Sequence, residues 1–210
     1  MHVARSPFVK ICGVTSVADA RLVRDAGADA IGVIFSTAST RTVDAGVASA
    51  IAADADDNCV VVGVFKGNSE DEILRLSANV PLACVQLHDS PSATLVPALR
   101  AIGVKLVIAA FPFSDSIDAR DFDMILLDGP TPGSGDLHDV SAHQIADATI
   151  PVLLAGGLTP DNVAERIRAV RPFGVDVASG TESSPGVKDA AKVASFVIRA
   201  REALFSGDER

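Results

Sequence analysis

Tryptophan and tyrosine are absent from the 210 residues of this sequence, and aromatic character comes from nine scattered Phe residues. The chain therefore lacks an aromatic platform on which nucleic-acid bases could stack. Cations are also few: Lys and Arg number 18 against 27 Asp and Glu, a net charge of −9. An acidic chain is a poor candidate for nonspecific nucleic-acid binding, and we expect no nucleic-acid partner. An anionic ligand would need a local positive field from a helix N-terminus or a single Lys or Arg.

Cysteine is scarce, and long apolar runs are missing. The three cysteines, Cys12, Cys59 and Cys84, form an odd set that does not predict a disulfide framework. No Cys or His pair has the spacing of metal ligands, so we expect no metal. No apolar run reaches the roughly 18 residues of a transmembrane helix, and the N-terminus lacks a signal-peptide pattern. We expect a cytoplasmic protein without a membrane partner.

Apolar residues make up 48% of the chain, which is ample for one large core. We expect a single domain over residues 1–210, with 1–7 and 206–210 as loose tails. Short apolar runs rich in Val and Ile recur about every 24 residues, as in repeated supersecondary units. Because most are apolar throughout, they are typical of parallel strands buried on both faces. The runs are 8–12, 29–35, 59–65, 83–88, 105–111, 123–128, 151–157 and 174–179.

Helical signals fill most of the gaps between these strands. Ser16 and Ser69 each precede an amphipathic segment in the position of an N-cap. Thr159 followed by Pro160 predicts a further helix start, with Pro in the first helical position. Pro97 predicts that the fourth helix is kinked or short.

The interval 111–122, between the fifth and sixth strands, has room for a turn or two of helix at most. Eight strands with helical crossovers in 210 residues predict a (β/α)8 barrel, the TIM-barrel fold, with an abbreviated helix at this point. A doubly wound open sheet is the alternative, although eight strands would be many for one. The sequence does not show the strand order that separates the two.

Functional sites of such barrels lie at the carboxyl ends of the strands and in the loops that follow. Cys12 ends the first strand and Asp128 ends the sixth, so both are candidates for acid–base catalysis. The alternative for Cys12 is a small buried apolar residue, and the alternative for Asp128 is a turn carboxylate before Gly129.

Two further polar residues lie on strands. Asp176 is flanked by valines in the eighth strand, and His88 lies at the end of the fourth; both are candidate substrate contacts. Lys10 of the first strand is a candidate partner for Asp176, because strands eight and one are neighbours in a closed barrel. We interpret that pair as structural.

Glycine-bearing loops follow strands seven and eight, at Gly156-Gly157 and Ser179-Gly180. Glycine lets backbone N–H groups approach a ligand, and these two loops frequently form a phosphate site in barrels. Arg41, after the second strand, has a planar guanidinium that suits a carboxylate, although it could also be solvated. The segment 133–135, Gly-Ser-Gly, predicts a mobile loop able to cover the site.

These residues lie in motifs that resemble those of the phosphoribosylanthranilate isomerase family. The opening, with Lys10, Ile11, Cys12 and Gly13, and the block around the eighth strand carry the most specific similarity. The similar blocks occur in order over residues 8–198, nearly the whole chain. They are 8–15, 35–41, 85–88, 126–128, 133–135, 154–158, 174–182 and 185–189.

The resemblance implies an Amadori rearrangement in tryptophan biosynthesis, with no metal or cofactor. The aminoaldose N-(5-phosphoribosyl)anthranilate becomes the aminoketose 1-(2-carboxyphenylamino)-1-deoxyribulose 5-phosphate, so the partner is a small phosphosugar. By similarity, Asp128 is the general acid, Cys12 is the general base, and Arg41 holds the anthranilate carboxylate. The implied phosphate-binding residues are Gly156, Gly157, Ser179 and Gly180.

These roles set a condition on two pKa values. A free thiol titrates near 8.5 and an Asp near 3.9, so neither group is in the required form at neutral pH. We therefore expect the site to lower the pKa of Cys12 and raise that of Asp128, or to work through minority forms.

The chain departs from the family pattern in three loops. Thr37 and Thr40 replace the two prolines usual before Arg41, and Asp89 replaces the glycine usual after the fourth strand. The aromatic residue usual after strand six is missing from 137–140. These changes bear on binding of the anthranilate end more than on the acid–base pair.

Two alternatives stay open. One is another phosphosugar isomerase or epimerase on the same barrel, such as the ProFAR isomerase of histidine biosynthesis or a pentose-phosphate epimerase. The other is a catalytically silent protein that binds a phosphate ligand. The sequence does not reveal the oligomeric state.

Overall fold

Eight parallel strands close into a barrel in the computed structural model, and they follow one another around it in chain order. The structure describes residues 7–36, 38–56, 58–88, 92–112, 119–129 and 149–206. The strands are β1 Phe8–Cys12, β2 Ala30–Ile34, β3 Val60–Phe65, β4 Cys84–Leu87, β5 Leu106–Pro112, β6 Met124–Asp128, β7 Val152–Ala155 and β8 Gly174–Val177.

The barrel closes through pairing of its first and last strands. Lys10 of β1 stands opposite Ala30 of β2 on one side and opposite Asp176 of β8 on the other. This register confirms the predicted (β/α)8 barrel and rules out the open sheet.

Helices cover the outside of the barrel. Those that the structure describes are α1 Val17–Asp25, α2 Ala45–Asp54, α3 Glu70–Asn79, α4 Leu95–Ala101, α5 Val163–Val170 and α6 Ala190–Phe205. The predicted caps of α1 and α3 are confirmed, because Ser16 Oγ accepts from Asp19 N at 3.1 Å and Ser69 Oγ accepts from Glu72 N at 3.3 Å. None of these helices is both long and apolar enough to cross a bilayer.

The predicted start of α5 at Thr159-Pro160 is wrong by one turn, since the helix begins at Val163. The side chain of Asn162 explains the delay. Its Oδ1 accepts from Thr159 N at 2.8 Å and its Nδ2 donates to Gly157 O at 3.0 Å, which holds 159–162 in a turn. The turn ties the start of α5 to the glycine loop that follows β7.

The prolines predict two short helical segments, and the structure describes one of them in full. Helix α4 has seven residues and carries Pro97 in its first turn. Between β5 and β6, the described residues 119–123 form turns and no helix. The rest of that connection, and the loops predicted at 133–135 and 137–140, lie outside the described residues. Thr37, Asp89 and nearly all of the predicted tails also lie outside them.

The core has two parts, one on each face of the barrel wall. Outward-facing residues of the strands pack against the helices, whereas a smaller set fills the barrel interior. Both faces are buried, which accounts for the nearly continuous apolar runs. Cys12 and Cys84 belong to the interior set and Cys59 to the outer one.

A short extension follows β8. A 3₁₀ turn at Ser179–Thr181 leads into a two-stranded hairpin of β9 Glu182–Ser184 and β10 Val187–Lys188. Thr15 Oγ1, after β1, donates to Gly186 O at 2.6 Å, which ties the hairpin to the first loop of the barrel rim.

Candidate active site

The carboxyl ends of the strands open into a cavity of about 540 Å³. Residues of seven strands or the loops after them line it. Gln86 adds a polar group from β4, and Lys66 adds one from the loop after β3. Of the nine predicted site residues, Gly180 alone does not line this cavity. The eight that do are Cys12, Arg41, His88, Asp128, Gly156, Gly157, Asp176 and Ser179.

Cys12 points into the barrel at the end of β1, and 6% of the residue is exposed. Its neighbour across the β1–β2 pair is Gly32. A Cβ at Gly32 would lie 2.7 Å from Cys12 Sγ, so the missing side chain provides the space that the thiol occupies.

A buried ion pair lies beneath this thiol. Lys10, with no exposed surface, donates from Nζ to Asp176 Oδ1 at 2.9 Å, which confirms the pair predicted from the sequence. Burial raises the pKa of Cys12, the Lys10 charge lowers it, the Asp176 charge raises it, and the pKa ends above its ordinary value. The expected lowering of this pKa is therefore not found in this structure.

Asp128 lies across the cavity, at the end of β6. Its side chain is open to the cavity, yet enough protein surrounds the carboxyl that desolvation raises its pKa. The charge of Asp176 raises this pKa further, whereas Lys66 and Lys10 lower it. The net direction is the one expected for a general acid, because a raised pKa keeps more of the carboxyl protonated.

Arg41 is held by an acidic residue that the sequence analysis did not single out. Its Nε donates to Glu182 Oε1 at 2.6 Å, and its Nη2 donates to Glu182 Oε2 at 2.7 Å. Gly13 makes this placement feasible, since a Cβ there would lie 2.5 Å from Arg41 Cδ. Glu182 belongs to the motif that follows the eighth strand, but nothing in that motif indicates that its partner is Arg41.

The two predicted phosphate loops lie side by side. A Cβ at Gly180 would lie 1.9 Å from Leu158 O, so the loop after β8 packs its backbone directly on the loop after β7. Gly156 has a φ of 91°, and a Cβ there would lie 2.5 Å from the backbone N of Gly129. Gly180 thus joins the loops without facing the cavity, and Gly156 brings its loop against the residue that follows Asp128.

Gln86 is a second residue that the sequence analysis did not assign. It is 1% exposed in β4, and its Nε2 lies 2.7 Å from His88 Nε2. Its Oε1 is buried without a hydrogen-bond partner among the described residues. Gln86 could have been found in the sequence as a polar residue at an inward-facing position of an otherwise apolar strand.

The described residues contain no group of three or more His, Cys, Asp or Glu side chains that could hold a metal ion. What the cavity combines is a thiol, a carboxyl with a raised pKa, a guanidinium and two glycine loops. The fold and this cavity define a (β/α)8-barrel protein with its site at the carboxyl ends of the strands, where barrel enzymes bind their substrates.

Comparison with known proteins identifies the family. Residues 9–199 match the family model described as N-(5'phosphoribosyl)anthranilate (PRA) isomerase. The N-(5'-phosphoribosyl)anthranilate isomerase of Myxococcus xanthus is 40% identical over 207 residues, covering 92% of this chain and 95% of the relative. That of Haloferax volcanii is 40% identical over 216 residues, covering 96% of each.

Solved structures agree with these relatives. The crystal structure of TrpF from Jonesia denitrificans has a TM-score of 0.84 at 36% identity, covering 94% of this chain and 98% of that one. A phosphoribosyl anthranilate isomerase in complex with reduced 1-(o-carboxyphenylamino)-1-deoxyribulose 5-phosphate has a TM-score of 0.79 at 33% identity, covering 93% and 99%.

The chain belongs to the phosphoribosylanthranilate isomerase family, enzymes of tryptophan biosynthesis that act on a small molecule. The family predicted from the sequence motifs is thereby confirmed. The match favours the isomerase over the other phosphosugar enzymes and the silent binding protein that the sequence left open.

Proposed function

We propose that this enzyme isomerises N-(5-phosphoribosyl)anthranilate with Asp128 as the general acid and Cys12 as the general base. Asp128 protonates the ribose ring oxygen, and the ring opens to a Schiff base. Cys12 then removes the proton from C2′ to give an enolamine, which tautomerises to the ketone. The observation that carries this assignment is that both side chains line one cavity from strands on different sides of the barrel.

The charges around the two groups bear on these steps. The raised pKa of Asp128 supplies a protonated carboxyl in a larger fraction of molecules. The raised pKa of Cys12 makes the thiolate scarcer, but the thiolate that forms is a stronger base. Lys10 and Lys188 both lower the Cys12 pKa against the effect of burial, so they stabilise the thiolate.

We assign the two anionic ends of the substrate to two parts of the cavity lining. The phosphate would lie on the adjoining loops of Gly156, Gly157 and Ser179, where glycines let the backbone approach an anion. Arg41 would bind the anthranilate carboxylate, because a guanidinium donates two parallel hydrogen bonds to such a group. His88 and Asp176 remain candidate contacts for the sugar.

The test is loss of anthranilate-type fluorescence with freshly made phosphoribosylanthranilate. Cys12→Ser and Asp128→Asn should each lower kcat by about 10²–10⁴-fold with little change in KM, the range for loss of one proton-transfer group. Cys59→Ser is the matched control, since that thiol belongs to the outer core, away from the cavity. Near-native kcat in Cys12→Ser would refute the proposed mechanism.

We also propose the cytoplasm as the working compartment. All three cysteines are free thiols. A reducing compartment maintains thiols in that state, whereas oxidising compartments favour disulfides.

A further inference from the structure

Glu182 is a buried carboxylate that the proposed chemistry does not use. It begins β9, is 6% exposed, and contacts two cations through its side chain. Arg41 donates to both of its oxygens, and Lys188 Nζ lies 3.3 Å from Oε1. Burial raises the pKa of Glu182, but the hydrogen bond from Arg41 and the Lys188 charge lower it below its ordinary value. Glu182 is therefore ionised in the folded protein at neutral pH.

Glu182 engages one edge of the guanidinium. A guanidinium carries five N–H donors in a rigid plane. Its Nε–Nη2 edge and its Nη1–Nη2 edge can each donate two parallel hydrogen bonds to a carboxylate. Glu182 takes the Nε–Nη2 edge of Arg41. Within the described part of the chain, no protein acceptor takes Nη1 of Arg41. The second edge therefore stays available for a second carboxylate.

The two residues also differ in where they lie. Arg41 lines the cavity, and Glu182 does not. Glu182 thus holds Arg41 from outside the cavity and does not compete there for a ligand.

Several hydrogen bonds hold Glu182 itself in place. Lys192 Nζ donates to Glu182 O at 2.7 Å, and Lys188 Nζ donates to Ala178 O at 2.9 Å. The hairpin that carries Glu182 and Lys188 is tied to the loop after β1, because Thr15 Oγ1 donates to Gly186 O. Glu182 is thus held at its backbone by Lys192 and at its carboxylate by Lys188. A carboxylate held in this way restricts the rotamers of Arg41 before any ligand binds, which lowers the entropy cost of binding.

We infer that Glu182 is a positioning residue, which holds the Nε–Nη2 edge of Arg41 so that the Nη1–Nη2 edge faces the carboxylate of the substrate. The inference rests on the proposed role of Arg41. It assigns to Glu182 the recognition of the carboxylate-bearing end of the substrate, with no part in proton transfer.

Two inhibitors that differ by one group test this inference. One is reduced 1-(o-carboxyphenylamino)-1-deoxyribulose 5-phosphate, and the other is the same compound without the carboxyl group. Glu182→Gln should weaken binding of the first about tenfold, because the amide can accept from one Arg41 donor but opposes the other with its own N–H. Binding of the second should change less than about twofold, and kcat should stay near the wild-type value.

A double variant tests whether Glu182 acts through Arg41. In an Arg41→Ala background, Glu182→Gln should add no further loss for the carboxylated inhibitor, since residues in one network are not additive. Equal weakening of both inhibitors by Glu182→Gln would overturn the inference, as would an additional loss in the double variant.

The same measurements separate this inference from the proposed role of Arg41. If Arg41→Ala binds the carboxylated inhibitor normally, the role of Arg41 is refuted and the inference falls with it. If Arg41→Ala loses that inhibitor selectively and Glu182→Gln does not, the inference alone is refuted. Should Glu182→Gln fail to fold with Lys188 unpaired, Glu182→Gln/Lys188→Met removes the buried charge, and the same inhibitor pair decides.

Discussion

Cys12 and Gly32 face each other across the β1–β2 pair, and the thiol of Cys12 fills the space that a side chain at residue 32 would need. The position of the proposed general base thus depends on a residue that contributes no chemistry. Reactions that depend on proton transfer are sensitive to displacements of about 1 Å, so this packing should be visible in the rate.

Gly32→Ala should lower kcat by about 10- to 100-fold with little change in KM. The added methyl group would lie 2.7 Å from Cys12 Sγ and 3.0 Å from Cys12 Cα, so the thiol and its backbone must shift. Steady-state kinetics measure the effect. Gly46→Ala, in the first turn of α2, is a control where alanine favours the helix and kcat should not change. An unchanged kcat in Gly32→Ala would show that the position of the thiol is not critical.

The thiol of Cys12 should titrate above the ordinary value of about 8.5, because burial raises its pKa. The difference in ultraviolet thiolate absorbance between wild type and Cys12→Ser isolates this group. Cys59 and Cys84, whose pKa values burial raises to about 12, are present in both proteins, so their absorbance cancels in the difference. Titration of Cys12 below 8.5 in the free enzyme would contradict the electrostatics described above.

The pH profile of kcat/KM should be bell-shaped, and the active form carries a protonated Asp128 and an ionised Cys12. Because the acid has the lower pKa of the two, this form is a minority with a constant population between the two values. Activity falls below the Asp128 pKa as the thiolate disappears, and it falls above the Cys12 pKa as the protonated carboxyl disappears. The pKa that governs the acidic limb of the profile should lie above about 3.9, the ordinary Asp value, because the Asp128 pKa is raised. A profile with no alkaline decline above the thiol pKa measured in the free enzyme would not fit this pair.

Gly180→Ala should weaken inhibition by inorganic phosphate by at least about tenfold and should destabilise the fold by about 1–3 kcal/mol. The added Cβ would lie 1.9 Å from Leu158 O, so the loops after β7 and β8 must separate. Gly27→Ala is the matched control: its φ of +85° strains an alanine, but it has open space and lies at the opposite end of the barrel. That variant should lose stability and keep its phosphate affinity. Equal phosphate affinity in both variants would refute the proposal that these two loops bind the phosphate.

Glu182 should stabilise the fold above the ordinary Glu pKa of about 4.3, and that contribution should disappear as the pH falls through its lower folded value. The sign follows because the unfolded state binds the extra proton between the two pKa values, so stability rises with pH there. Urea unfolding between pH 3 and 6 should show a shallower pH dependence in Glu182→Gln than in wild type. Parallel curves for the two proteins would mean that the Glu182 pKa is not lowered by folding.

Local patterns in the sequence were sufficient to predict most residues of the candidate site. The eight strands follow from apolar runs that must be buried on both faces, and the barrel rule then puts Cys12 and Asp128 at the same rim. Even the pair of Lys10 and Asp176, 166 residues apart, could be predicted because closure makes their strands neighbours.

Contacts that depend on side-chain geometry could not be predicted in that way. Arg41 and Glu182 are 141 residues apart, and both lie in segments outside the barrel strands. No periodicity or register relates such segments. The start of α5 likewise depends on the side chain of Asn162, which competes with the helix for the backbone of the preceding turn.

The sequence by itself determined the eight strands, the family and the residue types at the mouth, because burial patterns and motifs are properties of the chain read in one dimension. The order of the strands around the sheet, and so its closure into a barrel, was decided by the tertiary structure. The tertiary structure also decided which edge of Arg41 pairs with Glu182 and in which direction the Cys12 pKa moves. Burial and charge act through space, and the balance of Lys10, Asp176 and desolvation around one thiol exists only once β1 and β8 are paired.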